Sequence, residues 1–234
     1  MPDENPSPQI PRRQFWRGVQ AILPILVGVF PFGMIYGALA VKADIPFFPA
    51  ASMSFITFAG SSQFVATQMV RQAAPVVITV LTMFVINLRH ALYSASVAGY
   101  VRHLSPAWKL GLAYLLTDEA YAVTISNYRQ EGSQGNQQYF FLGAGLALWL
   151  CWQISTLLGI LLGAVIPESW SLDFALPLTF IALIVPSLKE RAGITAALTS
   201  AVVGILAYAM PFKLSILTAA LLGITAGLLV EKKR

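Results

Sequence analysis

The chain has 234 residues, 57% of them hydrophobic and 11% charged, with a mean hydropathy of +0.70. Soluble domains carry about 25% charged residues, so this composition excludes an ordinary soluble globule and points to an all-α integral membrane protein set in a lipid bilayer. Most of the basic residues behind the net charge of +5 lie in tails and short loops, where they orient spans, and they give no case for a nucleic-acid partner.

The first 15 residues, MPDENPSPQIPRRQF, are polar and proline-rich and read as a disordered tail. Arg12, Arg13 and Arg17 followed by Ala38-Leu39-Ala40 suggest a signal peptide. The apolar run between them exceeds the roughly 7–15 residues of a signal-peptide core, so it reads as a retained first span. Eight apolar segments follow one another at 16–41, 50–70, 75–101, 108–128, 139–165, 174–188, 192–209 and 213–230. Most are near the roughly 20 residues needed to cross a bilayer. The expectation is about eight transmembrane helices, some broken or short, in one transporter domain over 16–230, with a basic cytoplasmic end at 231–234. Pro24, Gly28, Pro31 and Gly33 interrupt the first segment, and the short sixth holds Pro177 and Pro186. The stretch RQEGSQGNQQ at 129–138 is a polar turn. No internal repeat is visible at a fixed period.

Basic residues set orientation. With eight spans and both termini in the cytoplasm, ten fall inside (Arg12, Arg13, Arg17, Arg71, Arg129, Lys189, Arg191, Lys232, Lys233 and Arg234) and four outside (Lys42, Arg102, Lys109 and Lys213). Were segment two a re-entrant hairpin, six would lie inside and eight outside. Eight crossings are therefore favoured.

Charge sits where lipid should be. Asp118 and Glu119 fall near the middle of the fourth segment, and Asn87, Arg89 and His90 near the middle of the third. An ionisable group at that depth costs roughly 2.5–3.5 kcal/mol on insertion scales, and such groups mark pathways, relays or buried pairs. Ala59-Gly60-Ser61-Ser62-Gln63 lies at the same depth in the second segment. Three polar clusters at one level on consecutive spans form the pattern of a midplane binding site. On helical spacing Arg89, Tyr93 and Ser96 share one face, with Asn87, His90 and Ser94 on the neighbouring one. Tyr114, Asp118, Tyr121 and Ile125 form another stripe, which places Asp118 between two phenol rings. Asp118 and Glu119 point about 100° apart, so they have separate jobs. Arg89 stays charged and pairs with one acid, with Asp118 preferred. The other is left for a substrate amine or a proton. The Gly60–Gln63 stretch is either a close helix contact through small residues or an unwound turn whose amides take a carboxylate. Trp16, Trp108 and Trp170 read as interface anchors. Trp149 and Trp152 read as core, with Gln153 a candidate for the cavity. Enzyme motifs such as H-E-x-x-H and G-x-S-x-G are missing. With His90, His103 and Cys151 the only His and Cys residues, neither a metal site, a cofactor nor an intrachain disulfide is expected.

FAGSSQFVATQM (58–69), INLRHALYS (86–94) and YLLTDEAYA (114–122) resemble the large subunit of the azaleucine-resistance, branched-chain amino acid permease family. The resemblance covers nearly the whole chain in order and hydropathy, although no motif matches from about Leu172 onward. It implies a multi-pass protein of a bacterial inner membrane that exports branched-chain amino acids, with a small multispan subunit as partner. It marks Ser62, Gln63, Arg89, His90, Asp118 and Glu119. The reading is a secondary transporter with a midplane site on spans two, three and four. Two alternatives stand beside it. One is a channel-like or structural subunit of a membrane complex. The other is an intramembrane enzyme using His90 and Glu119 as acid and base.

Overall fold

A segment crossing lipid must satisfy its backbone hydrogen bonds internally, and the apolar runs among the described residues do so as helices. The computed structural model describes residues 9–131, 136–163, 188, 190–210 and 214–232. Among these there are ten helices and no strand: α1 (Gln9–Lys42), α2 (Phe47–Thr57), α3 (Gly60–Arg71), α4 (Val76–Asn87), α5 (Arg89–Val101), α6 (Pro106–Tyr114), α7 (Asp118–Glu131), α8 (Gln137–Gly163), α9 (Arg191–Leu206) and α10 (Leu214–Lys232). Nearly all of the sixth apolar segment, with Pro177 and Pro186, lies outside the described residues, as does Trp170.

α1 and α8 form the spine. α1 is 34 residues long and continues through Pro24 and Pro31, so the interruption expected of the first segment is not there. Each proline removes one hydrogen bond, and the packing of α8 along α1 keeps the helix whole. α1 also begins at Gln9, inside the tail expected to be disordered, with Pro11 in its first turn, where a missing N–H is no loss. Residues 1–8 lie outside the described residues.

The two spine helices touch through glycine. A Cβ at Gly18 would strike the backbone of Phe140, one at Gly37 the backbone of Thr156, one at Gly159 the backbone of Met34, and one at Gly163 that of Ala38. The contact moves up α8 as it moves up α1, so the helices run parallel. Gly33-x-x-x-Gly37 and Gly159-x-x-x-Gly163 face one another, the small-residue pattern that lets membrane helices approach closely. Two parallel helices that cross a membrane in the same direction are separated by an odd number of crossings, which fits segments two, three and four all crossing and equally fits one of them crossing alone.

Those three segments are each split in two. The halves meet end to end and do not lie along one another. The second breaks at Phe58, which adopts a left-handed conformation (φ 37°), followed by extended Ala59. The third tightens at Leu88, whose N–H bonds the Val85 carbonyl at 3.2 Å. The fourth breaks over 115–117. Thr117 then caps α7, its Oγ1 accepting from the Ala120 N–H at 3.4 Å. A threonine followed by two acids is a helix start: the hydroxyl satisfies an orphan amide and the carboxylates face the positive end of the dipole.

α9 and α10 form an antiparallel hairpin. Gly223 lies against Ser200, Gly227 against Ala192 and Ala196, and the Ser200 hydroxyl donates to the Ala219 carbonyl at 3.0 Å. Small residues of segments seven and eight close on each other. The core lies between the spine and the broken spans and is built on Tyr36, Phe64, Leu112, Leu116, Tyr128, Phe141, Leu148 and Trp152. Val27, Val76, Phe84, Leu92 and Leu198 are exposed, as lipid-facing residues should be.

Candidate functional site

The three breaks surround a cavity of about 290 Å³, at the lower end of the roughly 300–1,000 Å³ of small-molecule sites. α1 supplies Ile25, Gly28, Val29 and Phe32, a stripe at helical spacing, and α8 supplies Leu148 and Trp152. The other walls are the breaks themselves: Phe58, Ala59, Gly60, Ser61 and Phe64 from the second span, Arg89 and His90 from the third, and Thr117, Asp118 and Glu119 from the fourth. One side is aliphatic and aromatic; the other is polar.

Arg89 joins the polar side. Its Nη1 forms an ion pair with Asp118 Oδ2, and its Nη2 donates to Ser61 Oγ at 2.6 Å. One guanidinium thus ties spans two, three and four together. About a quarter of each charged side chain remains open, 25% for Arg89 and 26% for Asp118. Glu119 also lines the cavity, beside Thr117, and no cation among the described residues lies within ion-pair distance of it. Arg89 and Asp118 cancel, so the ionised cavity carries one uncompensated negative charge. Opposite charge is available from α3, whose cap residue Ala59 offers no side-chain oxygen. The first amides of α3, at Gly60 and Ser61, have no intrahelical partner, and the positive helix end faces the cavity.

Among the described residues, four buried polar atoms on cavity-lining side chains have no hydrogen-bond partner: Arg89 Nε, His90 Nε2, Asp118 Oδ1 and Trp152 Nε1. A buried polar atom without a partner costs about 1–3 kcal/mol. The cavity can therefore hold a small polar molecule that carries both signs of charge and an apolar portion.

The other residues singled out from the sequence stand behind this wall. Ser62 and Gln63 are fully buried. Ser62 donates to the Ala59 carbonyl at 2.9 Å, and Gln63 lies beside the Tyr36 hydroxyl. Asn87 ends α4 without lining the cavity. Tyr93 stacks on Tyr121 with ring centroids 4.5 Å apart, and the Tyr121 hydroxyl donates to Ser96 Oγ at 2.9 Å. The face Arg89–Tyr93–Ser96 thus zips α5 to α7.

Two orientations differ from the sequence reading. Tyr114 does not flank Asp118. The break at 115–117 rotates it away, so that its hydroxyl donates to the Phe55 carbonyl and accepts from Trp149 Nε1 at 2.8 Å. Gln153 does not face the cavity. Its Nε2 donates to the Ser54 carbonyl at 3.3 Å and its Oε1 accepts from the Ser54 hydroxyl at 3.2 Å. Its neighbour Trp152 takes the cavity position, lying so close over Gly60 that a Cβ there would meet the indole at 2.9 Å. The α1 stripe and the Leu148–Trp152 pair had no polar residue to draw attention to them. Their signal is the i, i+4 spacing of large side chains.

Residues 24–166 match the AzlC protein family, a stretch that contains every residue of the cavity wall. The chain belongs to the AzlC family. Inner membrane protein YgaZ of Escherichia coli (strain K12) is 26% identical over 98% of this chain and 94% of its own. An uncharacterized membrane protein of Archaeoglobus fulgidus is 29% identical over 76% of this chain and 77% of its own. The branched-chain amino acid transport protein AzlC of Bacillus subtilis (strain 168) is 24% identical over 77% of this chain and 72% of its own. No solved structure matches the chain. The AzlC match ends three residues beyond α8 and leaves the α9–α10 hairpin outside it.

Proposed function

We propose that this AzlC-family membrane protein is a secondary transporter that exports branched-chain amino acids across a bacterial inner membrane. Both termini lie in the cytoplasm, and a small multispan subunit is its partner. The observation that carries the reading is the polar half of the cavity, where an unpaired carboxylate and an uncapped helix start stand side by side in the membrane. An amino acid is a zwitterion. Its ammonium fits Glu119 and Asp118 Oδ1, while its carboxylate fits the α3 amides and Arg89 Nε. Its aliphatic side chain lies along Ile25, Val29 and Phe32. The name of the Bacillus relative supports the same cargo. The broken helices supply the movable joints that alternating access needs.

Counterflow into proteoliposomes tests this. The full-length chain, with any membrane subunit that co-purifies, should accumulate labelled leucine or valine against unlabelled internal substrate. Dissipative flux without counterflow indicates a pore, and a chemically altered product indicates an enzyme. Either result overturns the reading.

A further inference from the structure

α1 carries four glycines, and three have a packing reason. At Gly18, Gly33 and Gly37 an added Cβ would overlap atoms of α8. Gly28 differs. Among the described residues nothing lies within 4 Å of the place its Cβ would take, and it lines the central cavity on the same face as Ile25 and Phe32. Conformation does not demand a glycine either, because its backbone is ordinary right-handed helix. Inside a helix glycine is less favourable than alanine, since it loses more backbone freedom. What Gly28 provides is space: it is exposed and lies at the open rim of the cavity that it lines. Gly99 and Gly111 have equally open surroundings but do not line the cavity.

We propose that Gly28 is a specificity-determining residue that sets how long an aliphatic side chain the cavity accepts. The inference rests on the amino-acid reading above and goes further by assigning the length limit to one position. The charged end of the substrate is held at Glu119 and the start of α3. Its side chain runs across to α1, and the outermost methyl groups lie over Gly28. A methyl group added to α1 at this point takes the place of a methyl group of the ligand. Larger residues at position 28 therefore favour shorter substrates. One methylene in an apolar pocket discriminates by about 10–200-fold.

The test compares initial counterflow rates of labelled leucine, valine and alanine for the parent, Gly28→Ala and Gly28→Val. Gly99→Ala and Gly111→Ala serve as controls. The leucine-to-alanine ratio should fall by about tenfold or more in Gly28→Val and less in Gly28→Ala. Both controls should keep the parental ratio, and Gly28→Ala should melt no lower than the parent. Folded Gly28 variants that keep the parental ratio overturn the assignment, as does an equal shift in the controls. A parent inert towards all three amino acids overturns the transport reading, and this inference with it.

Discussion

The spine and the broken spans treat the backbone in opposite ways, and the broken spans carry the more polar half-helices, α3 and α7. In α1 and α8 every helical turn continues, even past Pro24 and Pro31, and glycines bring backbone against backbone. Segments two and four stop halfway and segment three tightens at Leu88, and the charges around these three points face one cavity. The first region gains its contact by omitting side chains; the second gains chemistry by omitting hydrogen bonds. Irregular backbone at membrane depth is tolerated where it lines a cavity, and here that irregularity coincides with the charged residues. Gly28 lies where the two regions meet, on the spine yet facing the cavity.

Substitutions that damage one region and spare the other should separate these roles. The largest effect is expected at Gly159, where a side chain would drive α1 and α8 apart. Overfilling a packed core costs about 1–3 kcal/mol and more when backbone must move, so Gly159→Leu should yield little monodisperse protein in size-exclusion chromatography. A variant that purifies and melts like the parent would break the spine argument. Next comes the ion pair. Removing one member of a fully buried pair costs roughly 3–5 kcal/mol, and the partial exposure of this pair brings the expectation for Asp118→Asn to about 2–3 kcal/mol. Arg89→Gln in the same chain should recover part of the lost melting temperature, because no unpaired cation then remains. Equal melting of parent and Asp118→Asn would show that the pair does not hold the spans together. The smallest effect on stability belongs to Glu119→Gln, which breaks no ion pair. Its melting curve should match the parent's, while leucine counterflow should weaken by roughly 10–100-fold, the loss of one charge-assisted hydrogen bond of about 1.5–3 kcal/mol. Unchanged transport would leave Glu119 without a role in the site.

Much of the polar half of the site is legible in the sequence, because a charge in a long apolar run is conspicuous and its depth can be counted. Arg89, Asp118, Glu119, Gly60 and Ser61 fall at one level on that count alone. The apolar half is not legible in the same way. Ile25, Phe32 and Trp152 become cavity residues only when α1 is set beside α8, a pairing between distant parts of the chain that no local period records. Tyr114 shows a second limit. Helical facing is valid only within an unbroken helix, and three residues of irregular backbone separate Tyr114 from Asp118. The break itself has a local signature, since Thr117-Asp118-Glu119 reads as a cap and an acidic first turn. In the spine, proline invites the opposite error: Pro24 and Pro31 suggest a break that a neighbouring helix suppresses.

The parallel pairing of α1 and α8 also has a consequence for how the protein is made. α1 is synthesised before its partner, the fifth apolar segment, and three further apolar segments are made between them. Until Gly159 and Gly163 leave the ribosome, the glycine face of α1 has nothing to close against, and the broken spans have no wall to fold upon. Contacts between distant parts of a chain form late and leave intermediates exposed. The half-made protein therefore passes through a period in which its first helix waits in lipid with its most adhesive surface uncovered.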